Sequence, residues 1–355
     1  MSDPHDIHGR KDAHLEIAAS GRGAFRRTTT LLEEVALVHQ ALPELGLDEI
    51  DLSVEWLGRR LAAPILIGAM TGGTETAART NRELAEVAES LGVGFCLGSQ
   101  RVMAEDPASA ATFSVRDVAP GVALLGNIGA VQARDLGLEA VARLVEAVGA
   151  DGIAIHLNPA QELVQSGGDR DFRGLASFLR VLARGLDVPV VVKETGCGIS
   201  RQAGSLIAEA EIEWVEVAGA GGTSWVRVEA EREPERRHIG ELFGEWGIPT
   251  AASLLLLEGL PLRLVAGGGL RSALDVAKCL ALGARLCAVA QPILVAYREG
   301  GQTRAAEVLR ELIEGLRMIC LLAGARTAHD LAHAPRVLGP RLKAWAEQGR
   351  EEPLR

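Results

Sequence analysis

The sequence has no apolar run approaching the roughly 18 residues that cross a bilayer, which argues against a helical membrane span. Residues Met1 to His14 are too polar for a secretory leader, so a cytoplasmic location without a membrane partner is the expectation. Basic residues are in short supply. Against 47 Asp and Glu stand 37 Lys and Arg, a formal net charge of −10, which disfavours a nucleic-acid or anionic-membrane partner. Any anionic ligand therefore needs a local basic pocket. The five cysteines, Cys96, Cys197, Cys279, Cys287 and Cys320, are an odd number without a CxxC pair, so reduced and mostly buried thiols are expected. Cys197, in Thr195-Gly196-Cys197-Gly198, reads as a small residue in a tight turn and is assigned no chemistry.

What the sequence does contain is a rhythm. Its 355 residues, 48% of them hydrophobic, can bury a large core. Short apolar runs recur from Leu61 onward: Pro64 to Ile67, Val93 to Leu97, Val122 to Leu125, Ile153 to Ile155, Pro189 to Val192, Trp214 to Val217, Leu262 to Ala266 and Leu286 to Val289. These are eight candidate strands. Between them run helical patterns such as Leu84, Val87, Ala88 and Leu91, or Val141, Leu144, Val145 and Val148. The two patterns stop at Gly92 and Gly149, the residue type that ends helices in the left-handed conformation. Strand and helix alternating eight times predict a (β/α)8 TIM barrel over residues 61–326, with a doubly wound sheet as the alternative. Residues 1–60 form an N-terminal extension, and residues 327–355 a small polar C-terminal appendage, with Leu309, Leu312, Ile313, Leu316, Ile319 and Cys320 striping the last barrel helix.

A barrel of this kind keeps its site at the C-terminal strand ends, so the residues after each apolar run carry the functional reading. Met70-Thr71-Gly72-Gly73-Thr74 follows the first, Gly98-Ser99-Gln100-Arg101 the second, and Gly126-Asn127-Ile128-Gly129 the third. His156-Leu157-Asn158-Pro159-Ala160-Gln161-Glu162 follows the fourth and Lys193-Glu194 the fifth. Gly219 to Thr223, Gly267-Gly268-Gly269 and Ala290-Gln291 follow the last three. Glycines, amides, hydroxyls and single cations therefore converge on one rim.

The two late glycine loops let backbone N–H groups approach a phosphate, and Ser272 could cap a helix whose positive end adds to the site; a lone loop of this type would be only a turn. Lys193 closes an apolar strand, so its ammonium must face the rim, where it could neutralise a phosphate or a flavin ring anion, or else pair structurally with a carboxylate such as Glu194. Arg10, Lys11 and His14 with Arg101 could supply charge for a diphosphate, although Arg10-Lys11 alone reads as a solvated end. His329 and His333 lack a third ligand and read as a solvated face. Glu162 offers a hard carboxylate for Mg²⁺, Gln161 can donate and accept hydrogen bonds, and His156 has an intrinsic pKa suited to proton transfer; each could equally be scaffold.

These motifs together resemble one family, the type 2 isopentenyl diphosphate isomerases, which are flavoproteins on a barrel. The resemblance runs from Gly9 to about Trp345. Besides the rim motifs above it includes Gly168-Asp169-Arg170-Asp171-Phe172, Thr223-Ser224-Trp225 and Trp246-Gly247-Ile248-Pro249-Thr250. Thr195, where a larger apolar residue is expected, and Val217-Ala218 ahead of the glycine loop depart from the pattern.

The resemblance implies FMN contacted by Ala69, Met70, Thr71, Ser99, Asn127, Lys193 and Thr223, with its phosphate held by Gly267, Gly268, Gly269, Ala290 and Gln291. It implies a substrate diphosphate bound by Arg10, Lys11, His14, Ser99, Arg101, Asn158 and Gln161, Mg²⁺ on Glu162, and Gln161 and His156 beside the reacting carbons. The implied reaction interconverts isopentenyl and dimethylallyl diphosphate by allylic proton transfer, with reduced FMN as acid and base and NADPH only to reduce the flavin. A homo-oligomer, tetramer or octamer, is implied as well. The competing readings are an FMN-dependent dehydrogenase or oxidase on the same barrel and a non-catalytic phosphate-binding barrel. The chain lacks the His-Gly-Gly-Arg-Gln pattern of hydroxy-acid oxidases.

Overall fold

The computed structural model describes the backbone of residues 7–349 and the side chains of residues 13–349, Pro234 aside. Twelve strands are labelled in chain order. β1 (Val35–Leu37), β2 (Val54–Trp56) and β3 (Arg59–Leu61) precede the barrel strands β4 (Ile65–Ile67), β5 (Gly94–Cys96), β6 (Leu124–Gly129), β7 (Gly152–Leu157), β8 (Val190–Glu194), β9 (Trp214–Glu216), β10 (Arg263–Ala266) and β11 (Ala284–Val289); β12 (Arg336–Leu338) follows. β4 to β11 pair in parallel and close on themselves, each of the eight expected runs supplying one strand of a (β/α)8 barrel.

The barrel closes because each of its strands is buried on both faces, as a parallel sheet wrapped in helices requires. Outward residues such as Ile65, Phe95, Ile155, Val192 and Val215 pack into the layer of helices. Inward residues Leu66, Cys96, Leu125, Ala154, Val191, Trp214, Val265 and Leu286 form a second cluster, joined by Trp56 and Leu61. The antiparallel hairpin β2–β3 thus corks the N-terminal end of the barrel: a side chain at Gly94, the first residue of β5, would meet the Trp56 ring at 2.9 Å.

Helix ends follow the sequence. Thr74 caps the helix Glu75–Leu91 by accepting from Ala77 N, and Gly92 ends it at φ 63°; Gly149 ends Leu138–Val148 at φ 61°. The last barrel helix, Gln291–Leu322, is broken at Gly300 and Gly301. No helix of the described residues is long and apolar enough to cross a membrane.

The C-terminal appendage packs back on the N-terminal extension. β12 pairs antiparallel with β1, Arg341 bridges Glu33 and Glu34, and Leu342 is fully buried. At the other end of the barrel the N-terminal helix Ile7–Ala19 packs on the helices Trp225–Arg232 and Gln291–Leu322. This brings it over the C-terminal rim.

Candidate active site

The rim encloses a cavity of about 280 Å³. Its floor is set by register. His156 on β7 pairs with Lys193 on β8, which pairs with Glu216 on β9, so one inward layer carries an imidazole, an ammonium and a carboxylate side by side. Lys193 Nζ donates to Glu194 O over 2.7 Å and lies 3.9 Å from Glu216 Oε1. The carboxylate facing Lys193 is therefore Glu216. Glu194 turns its own carboxylate to the backbone N–H groups of Thr195, Gly196 and Cys197. Burial pushes Glu194 up to about 7 against those donors, and raises Glu216 against the pull of Lys193.

His156 is held neutral. Burial, aided by the Lys193 charge, lowers its pKa to about 3. Asn127 Nδ2 donates to Leu97 O over 3.1 Å, which turns Asn127 Oδ1 toward His156 Nδ1 at 2.9 Å. The proton then belongs on Nδ1, leaving Nε2 as an acceptor.

Gln161 and Glu162 stand on the short helix Pro159–Val164, started by Pro159 where β7 can pair no further. Asn158 Nδ2 donates to Glu162 Oε1 at 2.9 Å and to Gln161 Oε1 at 3.3 Å. Asp169 N donates to Glu162 Oε2 at 2.8 Å. Gly168 admits this approach, since a Cβ there would meet Glu162 O at 2.2 Å. Gln161 Nε2 donates to Glu229 Oε1 at 2.8 Å. Glu229, on the helix Trp225–Arg232, is fully buried; burial would raise its pKa, but His14 at 3.1 Å, Gln161 and Arg232 at 3.0 Å bring it to about 2. His14 also meets Trp225 edge-on at 5.3 Å between ring centres.

Across the cavity, Gly268 and Gly269 take φ of 90° and 77°, and a Cβ on Gly268 would meet Gly219 O at 2.1 Å. Only glycine makes this cradle. Thr71 Oγ1 is buried at the cavity wall without a hydrogen-bond partner among the described residues, and the helix Gln291–Leu322 opens beside it with no side-chain cap at Ala290. Ser272 does cap the helix Ala273–Ala281, in a capping box with Asp275 whose carboxylate accepts from Arg271 N and Ser272 N. That helix end is thereby satisfied internally.

The expected residues Ala69, Met70, Thr71, Ser99, Arg101, Asn127, His156, Asn158, Gln161, Glu162, Lys193, Thr223, Gly268, Gly269, Ala290, Gln291 and His14 all line this cavity. Gly267 lies behind it, where its missing side chain leaves room for Glu216, whose Oε1 a Cβ on Gly267 would meet at 2.8 Å. The side chains of Arg10 and Lys11 lie outside the described residues, although their backbone belongs to the N-terminal helix. Cys197 donates to Trp246 O, and burial pushes its thiol up, away from thiolate chemistry. His329 and His333 sit on a short 3₁₀ turn beside Arg285. Among the described residues no group of three or more His, Cys, Asp or Glu side chains could hold a metal by itself.

Two carboxylates escaped the sequence reading. Glu216 could have been found by the argument applied to Lys193, a charge inside the apolar run Trp214 to Val217. Glu229 gave no signal, being one acid among many in a charged segment.

The closed parallel barrel carries a glycine cradle and a buried lysine on its C-terminal rim, and the chain matches the FMN-dependent dehydrogenase family over residues 7–156 and 257–337, which places it in the class of FMN-dependent barrel enzymes. Mandelate oxidase with (S)-2-phenylpropionate shares the fold at a TM-score of 0.65 and 18% identity, over 93% of this chain and 98% of that one. Identity is much higher to isopentenyl-diphosphate delta-isomerases: 40% over 344 residues for Methanothermobacter thermautotrophicus (96% of each chain), 42% over 345 residues for Methanosarcina mazei (96% and 94%), and 44% over 315 residues for Synechococcus sp. (87% and 90%). The chain belongs to the isopentenyl-diphosphate delta-isomerase family and is an isomerase.

Proposed function

We propose that the protein interconverts isopentenyl and dimethylallyl diphosphate in this cavity, with reduced FMN and Mg²⁺. The observation that carries the reading is the convergence of Gln161, Glu162 and Lys193 on one cavity in a chain of this family. The residues present fit FMN. The unpartnered Thr71 Oγ1, the Gly268-Gly269 cradle, the uncapped helix start at Ala290-Gln291 and the Lys193 ammonium offer a donor or acceptor, a close backbone approach, a positive helix end and a cation. Ala69, Met70, Ser99, Asn127 and Thr223 would complete the site. Bound and reduced, FMN supplies a ring nitrogen able to exchange a proton with carbon.

The chain's own residues do the rest. Arg101 and His14, with Arg10, Lys11, Ser99 and Asn158, would bind the diphosphate, and the Glu162 carboxylate would meet its Mg²⁺ with water and phosphate oxygens completing the shell. Glu229 fixes which way the Gln161 amide points, so Gln161 orients the reacting carbons rather than ionising. His156, neutral, offers an acceptor at Nε2 and adds no charge. NADPH would serve only to reduce the flavin. The N-terminal extension contributes to the substrate site through the helix Ile7–Ala19, which covers it, and a cytoplasmic homo-oligomer, tetramer or octamer, is the proposed working form. The test is an anaerobic assay of isopentenyl diphosphate with reduced FMN and Mg²⁺. Many dimethylallyl diphosphates per flavin support the reading; flavin oxidation in step with product would make the protein a dehydrogenase.

A further inference from the structure

We propose that Glu216 is the buried counter-charge of Lys193 at the cavity floor, tempering how strongly that ammonium favours reduced over oxidised FMN. The inference rests on the reading that FMN occupies this cavity, and it assigns a role to a residue that the rim motifs pass over.

The two side chains are register partners on adjacent strands, both buried, with Nζ 3.9 Å from Oε1. The hydrogen bond Lys193 makes goes to a neutral acceptor, Glu194 O. The neighbouring carboxylate of Glu194 is bonded to three backbone N–H groups instead. Glu216 is thus the carboxylate placed to balance the lysine. Its position depends on Gly267, where a Cβ would stand 2.8 Å from Oε1. Burial raises the Cys96 thiol, further down the interior, and there Glu216 raises it further while Lys193 lowers it, the two charges acting in opposite directions. In an interior this dry, one charge is felt several ångströms away.

Reduction of FMN by dithionite adds two electrons and, with one proton from water, leaves one negative charge on the ring. A cation beside the ring favours that state, and a carboxylate beside the cation opposes it. Removing the Glu216 charge should therefore tilt binding toward the reduced form.

The experiment compares FMN affinity in both oxidation states, together with the midpoint potential against a reference dye, for full-length wild type, Glu216→Gln, Glu216→Asp and Lys193→Gln. In Glu216→Gln the ratio of oxidised to reduced dissociation constants should rise about tenfold or more, equivalent to a midpoint about 30 mV more positive. Glu216→Asp, which keeps the charge, should stay within about threefold of wild type, and Lys193→Gln should move the opposite way. Should Glu216→Gln not fold, Lys193→Gln compared with the Lys193→Gln, Glu216→Gln double variant reads the same charge, the double having the higher ratio. An unchanged ratio in Glu216→Gln, a shift in the direction of Lys193→Gln, or a double variant equal to Lys193→Gln would overturn the proposal while leaving the FMN reading intact. A wild-type protein that binds FMN in neither state would overturn both.

Discussion

Gln161 Nε2 donates to Glu229 Oε1 over 2.8 Å, tying two residues 68 positions apart and linking the turn after β7 to the helix that roofs the cavity. The bond has a fixed direction, since an ionised carboxylate can only accept. Gln161 must therefore present its amide oxygen toward Asn158 and its nitrogen toward Glu229.

Glu229→Gln removes that constraint while keeping the shape. A hydrogen bond to a charged group contributes about 1.5–3 kcal/mol, so kcat/KM should fall roughly 10–100-fold. Steady-state kinetics check the size of the loss, and a thermal melt close to wild type shows that it is not misfolding.

Glu162→Gln should leave the fold in place, because an amide oxygen can still accept from Asp169 N or Asn158 Nδ2. The Mg²⁺ concentration giving half-maximal activity should rise about tenfold or more, or activity should be lost, since a neutral amide is a poor ligand for a hard cation. A wild-type Mg²⁺ response in the variant removes Glu162 from the metal role.

His156 titrates near 6.5 in an unfolded chain and at about 3 in the fold. The depressed value means that its contribution is complete above pH 6.5 and is lost as pH falls from there toward 3, at up to about 1.4 kcal/mol per pH unit. Urea denaturation at pH 7, 6 and 5 should show a steeper acid loss for wild type than for His156→Gln. Parallel curves would mean that the ring is not held neutral.

Gly268→Ala places a Cβ 2.1 Å from Gly219 O at φ 90°, so the cradle must open. About 1–3 kcal/mol of stability should be lost, with FMN affinity down about tenfold or more. Gly283→Ala is the control: its φ is 96° but nothing lies within 4 Å of the added carbon. It should cost comparable strain with FMN affinity unchanged in a fluorescence titration.

The barrel was legible because each strand is apolar on both faces and so stands out as a short run between glycines. The site was legible for a related reason. Polar residues such as Asn127, His156 and Lys193 end those runs, and a barrel has one rim at which they can meet. What stayed hidden was whatever depends on a second element. Glu229 is buried among partners from other elements, Gln161 and His14, the latter more than two hundred residues earlier in the chain. Gly267 sits in a glycine run that suggests a cradle, yet its Cα faces Glu216, a neighbour set by the pairing of β9 with β10. The β1–β12 ladder joins three-residue strands too short to carry an alternating pattern.

That ladder has a consequence for how the protein comes into being. Val35 cannot find Leu338 until the residues between them have been synthesised, whereas the segment leading from the N-terminal helix is already held by Gly222, Glu245 and Ala251. A nascent chain can therefore lay its cover over the rim before the β1–β12 ladder forms, and that ladder works as a late latch rather than as the hinge of the site.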